Sequence, residues 1–183
     1  MKKIIASEMI TLDGFFSGLN GEMDWFTMDE EHVADSLKIL NTVGTIFYGR
    51  QTYQMMVHFW PNSTGLFADK TNELTKIIFS NSLQSTPWGK WNNAIQINEN
   101  VIETVKKIKG EKGDNIIIYG SGTIVQLLTK HNLIDEFHFY INPVILGQGK
   151  KLFAEIENRI NLNLISSKKY KSGLMGFFYE PKK

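Results

Sequence analysis

Short apolar runs alternate along the chain with segments in which apolar residues recur every three to four positions. The first pattern predicts strands and the second predicts helices. Residues 3–8 read as a strand, 29–40 as a helix with Val33, Leu37 and Leu40 on one face, and 45–48 as a second strand. Residues 50–57 read as a short helix, 76–80 as a third strand and 94–97 as a weak fourth. A helix over 100–108 carries Val101, Val105 and Ile108 on one face, a buried strand covers 115–119, and a helix over 123–130 turns Ile124, Leu127 and Leu128 inward. Residues 61–73 and 84–93, rich in Asn, Ser, Thr and Gly, read as loops.

The last third has a different rhythm. Residues 136–142 alternate strictly, with Phe137, Phe139 and Ile141 on one face and His138, Tyr140 and Asn142 on the other. That pattern belongs to a strand with two unlike faces. Strands over 162–169 and 174–180 follow, joined through a turn at Ser172-Gly173. Alternating strands and helices imply a largely parallel sheet covered on both sides, to which the last third adds antiparallel strands. No repeat or low-complexity linker divides the chain, so residues 1–183 read as one mixed α/β domain.

Composition narrows the function. Twenty Lys+Arg against 19 Asp+Glu leave a formal charge of +1, which gives no support to wholesale nucleic-acid binding. A hydrophobic fraction of 42% excludes a disordered chain. The absence of cysteine excludes disulfides, Cys-ligated zinc and a thiol nucleophile. No apolar run approaches the ~18–20 residues of a membrane span. Glu8 and Asp13 interrupt the apolar start before a signal-peptide core can form. The expectation is a soluble cytoplasmic protein. His32, His58, His131 and His138 show no metal-ligand spacing, and no metal site is expected.

Three places carry candidate chemistry. At Tyr119-Gly120-Ser121-Gly122-Thr123 a buried strand ends in a glycine turn that opens a helix. Free N–H groups there, with the helix dipole, suit a phosphate. A plain tight turn with Ser121 as N-cap is the competing reading. Tyr48-Gly49-Arg50-Gln51-Thr52 repeats the arrangement and contains Arg50, one of only two arginines, whose planar fork suits phosphate. Two such helix starts in one small sheet raise the odds of a ligand with several phosphates. The third place is the loop after the first strand, where Asp13 and Asp24 lie beside Phe15, Phe16, Trp25 and Phe26. Aromatic neighbours desolvate a carboxyl and can turn it into a proton donor. Against this, Asp13-Gly14 is an ordinary turn pair, and Thr27-Met28-Asp29-Glu30 forms a capping box in which Glu30 only caps the helix. Gly147-Gln148-Gly149-Lys150 lacks phosphate-loop spacing and reads as a turn.

These motifs occur in a fixed order: Thr11-Leu12-Asp13-Gly14, Gly21-x-x-Asp24-Trp25, Tyr48-Gly49-Arg50-x-Thr52-Tyr53, Trp60-Pro61, Ser80, Gly120-Ser121-Gly122, then Pro143-Val144-Ile145-Leu146-Gly147-x-Gly149-Lys150. In that order the chain resembles the dihydrofolate-reductase-like superfamily, nearest the branch that holds the reductase domain of riboflavin biosynthesis and its stand-alone bacterial relatives. The resemblance runs from residue 3 to about residue 180. It implies a mixed eight-stranded sheet, NADPH as hydride donor with NADH left open, a small-molecule substrate, and a homodimer. It also implies that Gly49, Arg50, Gln51 and Thr52 hold the adenosine-side phosphates, that Ser80 and Asn81 lie near the adenosine, and that Gly120, Ser121, Gly122 and Thr123 hold the pyrophosphate. The loop from Thr11 to Trp25, with Asp13, would cover nicotinamide and substrate.

Departures from the family pattern shape the expectation. No arginine precedes Lys76 to clamp a folate tail, Ser7 stands where pathway domains carry a lysine, and Asn81 stands where NADPH-using relatives often carry an arginine. The expected activity is therefore reduction of a small pterin-like or pyrimidine-like heterocycle other than folate, with Asp24 or Glu30 supplying the proton directly or through water. A dimeric nucleotide-binding protein without turnover, or a flavin-binding one, is the alternative. The alternating strand over 136–142 is the expected dimer face.

Overall fold

The computed structural model describes residues 1–27 and 30–182. Met28 and Asp29, the centre of the expected capping box and the start of the expected helix, lie outside the described residues, as does Lys183.

The strands are β1 (Ile4–Thr11), β2 (Phe15–Ser17), β3 (Val43–Gly49), β4 (Thr75–Phe79), β5 (Ala94–Ile97), β6 (Asn115–Tyr119), β7 (Glu136–Asn142), β8 (Lys150–Lys151), β9 (Leu162–Lys169) and β10 (Met175–Pro181). The helices are α1 (Glu30–Leu40), α2 (Arg50–Phe59), α3 (Leu66–Glu73), α4 (Val101–Gly110) and α5 (Gly122–Lys130). Eight strands form one sheet in the order β5-β4-β3-β6-β1-β7-β10-β9. The pairs from β5 across to β7 are parallel, and β10 pairs antiparallel with both β7 and β9. This is the expected mixed sheet. A second, two-stranded sheet joins β2 to β8, which the sequence pattern did not announce.

Parallel strands covered on both faces must be apolar on both faces, and Ile116, Ile117 and Ile118 of β6 are all fully buried. Alternation sends Ile116 and Ile118 to one side, where α4 contributes Val105 and α5 contributes Ile124, Val125 and Leu128. Ile117 goes to the other side, with Leu40 of α1 and Tyr53 of α2. Helices α1–α3 therefore cover one face and α4–α5 the other.

Two expectations need correction. Residues 61–73 are not all loop, because 66–73 form α3. Its apolar pattern is weak, and the helix is held by burial of Ala68, Thr71 and Asn72 and by packing of Phe67 against Trp60. The alternating strand β7 is not an open dimer face. It lies between β1 and β10, its phenylalanines packed on the α5 side and Tyr140 against Tyr170 and Leu174 on the other. Its two unlike faces reflect two unlike interior clusters, so a dimer would have to use another surface.

Candidate active site

Six strands run parallel, so their C-terminal ends share one edge of the sheet. Two of them, β3 and β6, are neighbours whose chains leave in opposite directions: β3 passes into α2 on one face, β6 into α5 on the other. A divergence of this kind opens a crevice at the strand ends, the usual ligand position in open α/β sheets.

The two glycine turns singled out in the sequence stand on either side of this crevice and are hydrogen-bonded together. The Gly49 N–H donates to Ser121 Oγ at 2.9 Å, and the Ser121 N–H donates to Thr52 Oγ1 at 3.0 Å. Gly120 has φ +59°, a region open to glycine at little cost. Ser121 has the same φ and stands at the N-cap position of α5 as expected, but it makes no side-chain cap bond, because its Oγ accepts the Gly49 N–H instead. Gly49 likewise provides no side-chain cap for α2. No side chain caps the first turn of either helix, and in α5 the Ile124 N–H turns back to the Ser121 carbonyl at 2.7 Å, which leaves the Gly122 and Thr123 donors at a positive dipole end toward the crevice. Gly122 has a different role from close ligand approach. A Cβ there would meet the Phe16 ring at 2.6 Å, so its bareness seats Phe16 on the start of α5.

Arg50, Gln51, Asn81 and Thr123 are exposed around the crevice. Among the described residues Arg50 makes no ion pair. Ser80 is occupied locally: its Oγ accepts from the N–H groups of Ser82 and Leu83, both at 3.2 Å, and its carbonyl accepts from Gln96 at 3.0 Å. It shapes the loop beside the crevice.

The loop after β1 is pinned by two side chains. Asp13 accepts from Thr11 Oγ1 at 2.6 Å and from the N–H groups of Leu146 and Gly147 at 3.1 and 2.8 Å. The Thr11 hydroxyl and these amides lower its carboxyl to about 2, so Asp13 is an ionised clasp and the expected rise by aromatic desolvation does not occur. Asn142, fully buried at the end of β7, accepts the Thr27 N–H at 2.7 Å and donates to the carbonyls of Ile10 and Tyr140. It ties the stretch before α1 to the sheet. Asp24 and Glu30 are both exposed, Asp24 in a turn and Glu30 at the first residue of α1. Trp25 is half-buried, and its indole N–H is enclosed without an acceptor.

The dry carboxyl is a different one. Glu8, in the middle of β1, is 2% exposed. Burial pushes it well above the ordinary carboxylate range, opposed only by the Gly120 N–H, and its Oε1 has no partner. The sequence signal was present, an acid inside an apolar strand, but it reads there only as an interruption. Asn142 was equally legible as the polar end of a buried strand.

The RibD C-terminal domain family matches residues 2–175 of this chain. The chain belongs to that family. The chain is similar to the uncharacterized protein YyaP of Bacillus subtilis (strain 168), with 35% identity over 97% of this chain and 94% of that one. A protein from Shewanella sp. PV-4 named for riboflavin biosynthesis superposes with a TM-score of 0.78 at 24% identity, all of both chains being covered. The dihydrofolate reductase of Enterococcus faecalis, solved with NADP(H), superposes at 0.66 with 13% identity over 99% of this chain and 97% of that one. The RibD C-terminal domain fold is therefore shared with dihydrofolate reductase, as the motif order implied. Within this family member, no helix among the described residues is long and apolar enough to cross a membrane.

Proposed function

We propose that the protein is a reductase that takes NADPH, with NADH as the lesser donor, and reduces a small heterocycle. The observation that carries this reading is the pair of hydrogen-bonded glycine turns flanking the β3–β6 crevice, each opening a helix whose first-turn donors no side chain caps. A dinucleotide needs such donors at more than one phosphate, and the fit extends to Gly120, which brings backbone rather than a Cβ to the crevice. Membership of a family named for RibD, and a fold shared with a reductase solved with NADP(H), support the same reading.

In this reading Gly49, Arg50, Gln51 and Thr52 hold the adenosine-side phosphates, Arg50 favouring the extra phosphate of NADPH through its fork. Ser80 and Asn81 flank the adenosine. Gly120 and Ser121 shape the turn whose next backbone N–H groups, those of Gly122 and Thr123 at the start of α5, hold the pyrophosphate, and Gly122 also seats Phe16 beside it. The nicotinamide supplies a hydride when bound. The chain contributes orientation, exclusion of water by the loop that Asp13 and Asn142 pin, and the Trp25 indole N–H as a donor to substrate. Asp24 or Glu30 passes a proton to the reduced substrate, through water given their exposure.

The test is titration with NADPH and NADH, followed by Trp fluorescence, on wild type and Arg50→Ala. Arg50→Ala should weaken NADPH binding about tenfold or more and NADH binding far less. Equal loss of both would remove Arg50 from the extra phosphate of NADPH, no loss of either would remove it from the site, and no binding by wild type would remove the cofactor. Exposure of both acids favours one second reading, binding without turnover. Once a substrate is found among pterins and pyrimidines, turnover that survives in the double variant Asp24→Asn, Glu30→Gln would remove both from proton delivery.

A further inference from the structure

Glu8 is the group at this edge that the mechanism above does not use. It lies on β1 opposite Phe139 of β7, on the face shared by Ile4, Ala6 and the start of α5. One neighbouring donor, the Gly120 N–H, reaches its carboxyl, and Oε1 is enclosed without a partner. No Lys, Arg or His pairs with it among the described residues. Other buried polar chains that shape this edge are engaged, Ser121 with Gly49, Thr52 with Ser121 and Asn142 with Thr27, while the Tyr48 hydroxyl and the Trp25 indole N–H are enclosed without a partner as Glu8 Oε1 is. A buried oxygen that has left water without gaining a partner is costly, which makes such an atom informative about what is to bind beside it.

The chemistry narrows the partner. Without a cation, a carboxyl in this setting stays neutral, and a neutral carboxyl presents an O–H donor and a C=O acceptor side by side. That pair matches a primary carboxamide, which offers C=O and N–H in the same plane. It disfavours a phosphate, which would meet a second acceptor and, on ionisation, a like charge. Position narrows it further. Gly120, whose N–H reaches Glu8, opens the turn assigned above to the pyrophosphate, and the nicotinamide follows the pyrophosphate in the dinucleotide.

We propose that Glu8 orients the nicotinamide by hydrogen-bonding its carboxamide, an assignment that rests on the dinucleotide reading above. Glu8 thereby selects among cofactors by the group on the pyridine ring, while Arg50 selects at the adenosine end.

The experiment compares three probes by calorimetry on the full chain: NADP⁺, its acetylpyridine analogue, in which a methyl ketone replaces the carboxamide, and adenosine bisphosphate, which lacks the nicotinamide. Wild type should prefer NADP⁺ over the analogue by about tenfold, the worth of one hydrogen bond. Glu8→Met should bind the two alike, while its affinity for adenosine bisphosphate stays at the wild-type value, showing that the fold and the phosphate turns survive. Glu8→Gln, which keeps an acceptor and a donor in place, should restore the preference. The assignment is overturned if Glu8→Met keeps the preference, or if wild type shows none while binding all three probes. If wild type binds no probe, the dinucleotide reading itself falls and the assignment falls with it, an outcome distinct from a change confined to the variants.

Discussion

Lys76 and Glu8 are both ionisable side chains buried on interior strands of one sheet, yet the fold treats them in opposite ways. Lys76, near the start of β4, is fully buried. Its ammonium donates to the Asn72 carbonyl at 2.6 Å and to Asn93 Oδ1 at 3.3 Å, and lies 4.5 Å from the centre of the Trp88 ring. The partners are themselves braced: the Trp88 indole donates to Asn72 Oδ1 at 2.8 Å, and the Asn93 amide donates to the carbonyls of Asn72, Glu73 and Leu74. Glu8, toward the other end of its strand, has one backbone donor and an idle oxygen. A buried polar group that the chain completes serves the fold. One left incomplete at the ligand edge costs stability that only a ligand can return.

That contrast makes a large prediction. Lys76→Ala should destabilise the protein by about 3 kcal/mol, through the cavity and the stranded acceptors together. Glu8→Met, of similar volume, should leave stability unchanged or raise it by about 1 kcal/mol, because it removes an unsatisfied group. Equilibrium urea unfolding of both variants reads the two signs directly. Equal destabilisation would show that Glu8 is as much a structural residue as Lys76.

Asn142 separates location from completion. It stands at the same edge as Glu8 but is fully satisfied like Lys76. If completion decides, Asn142→Ala should cost about 2 kcal/mol by leaving the Thr27 N–H and its neighbours unpaired. It should also alter the emission of Trp25 in the loop it tethers. A neutral result would mean that the edge contributes little to stability whatever its bonding.

The pH dependence of Lys76 is smaller per step and has a defined sign. Burial lowers its amine from 10.5 to about 7. Between these values the unfolded chain holds a proton that the folded chain does not, so stability rises with pH across that window. Below about 7 both states are protonated and the cost of the buried charge is fully present. Relative to Lys76→Met, wild type should therefore gain stability from about pH 7 to about pH 10, by at most about 1.4 kcal/mol per unit. The Asn72 carbonyl and the Trp88 face stabilise the ammonium and work against that rise, so a flat difference would mean that they fully offset desolvation.

Legibility in the sequence follows the same division. The Ile116–Ile118 run and the glycine turn after it announce a buried strand and a helix start, because both depend on residues adjacent in the chain. Helix α3 was not legible, since it is held by burial of Ala68, Thr71 and Asn72 and by the Asn72 amide, which bonds the Trp60 carbonyl and the Trp88 indole far along the chain. The pairing of the two turns was foreseen only as proximity. The bond between Gly49 and Ser121 depends on two strands 72 positions apart coming together. Glu8 was hidden for the same reason. Whether an acid inside an apolar strand is buried depends on β6 and β7, which the local pattern around residue 8 does not describe.

Asp13 gives the smallest and sharpest version of the contrast, because it and Glu8 sit on the same strand–loop unit and shift in opposite directions. Thr11 and the amides of Leu146 and Gly147 complete Asp13 and lower it to about 2, whereas Glu8 is raised. A carboxyl lowered on folding stabilises above its unfolded value of 3.8 and loses that contribution as pH falls toward 2. Asp13 is exposed, so water and salt screen the effect and it should be slight. Asp13→Asn should show a shallower loss of thermal stability than wild type between about pH 4 and about pH 2, and added salt should narrow the difference. Glu8→Gln should show its difference at the opposite end, with wild type losing stability relative to the variant as pH rises above about 4.5, where the unfolded carboxyl ionises and the folded one does not. If both variants diverge from wild type on the same side, the partners seen around the two carboxyls do not set their charge, and the distinction between a completed and an open group at this edge fails.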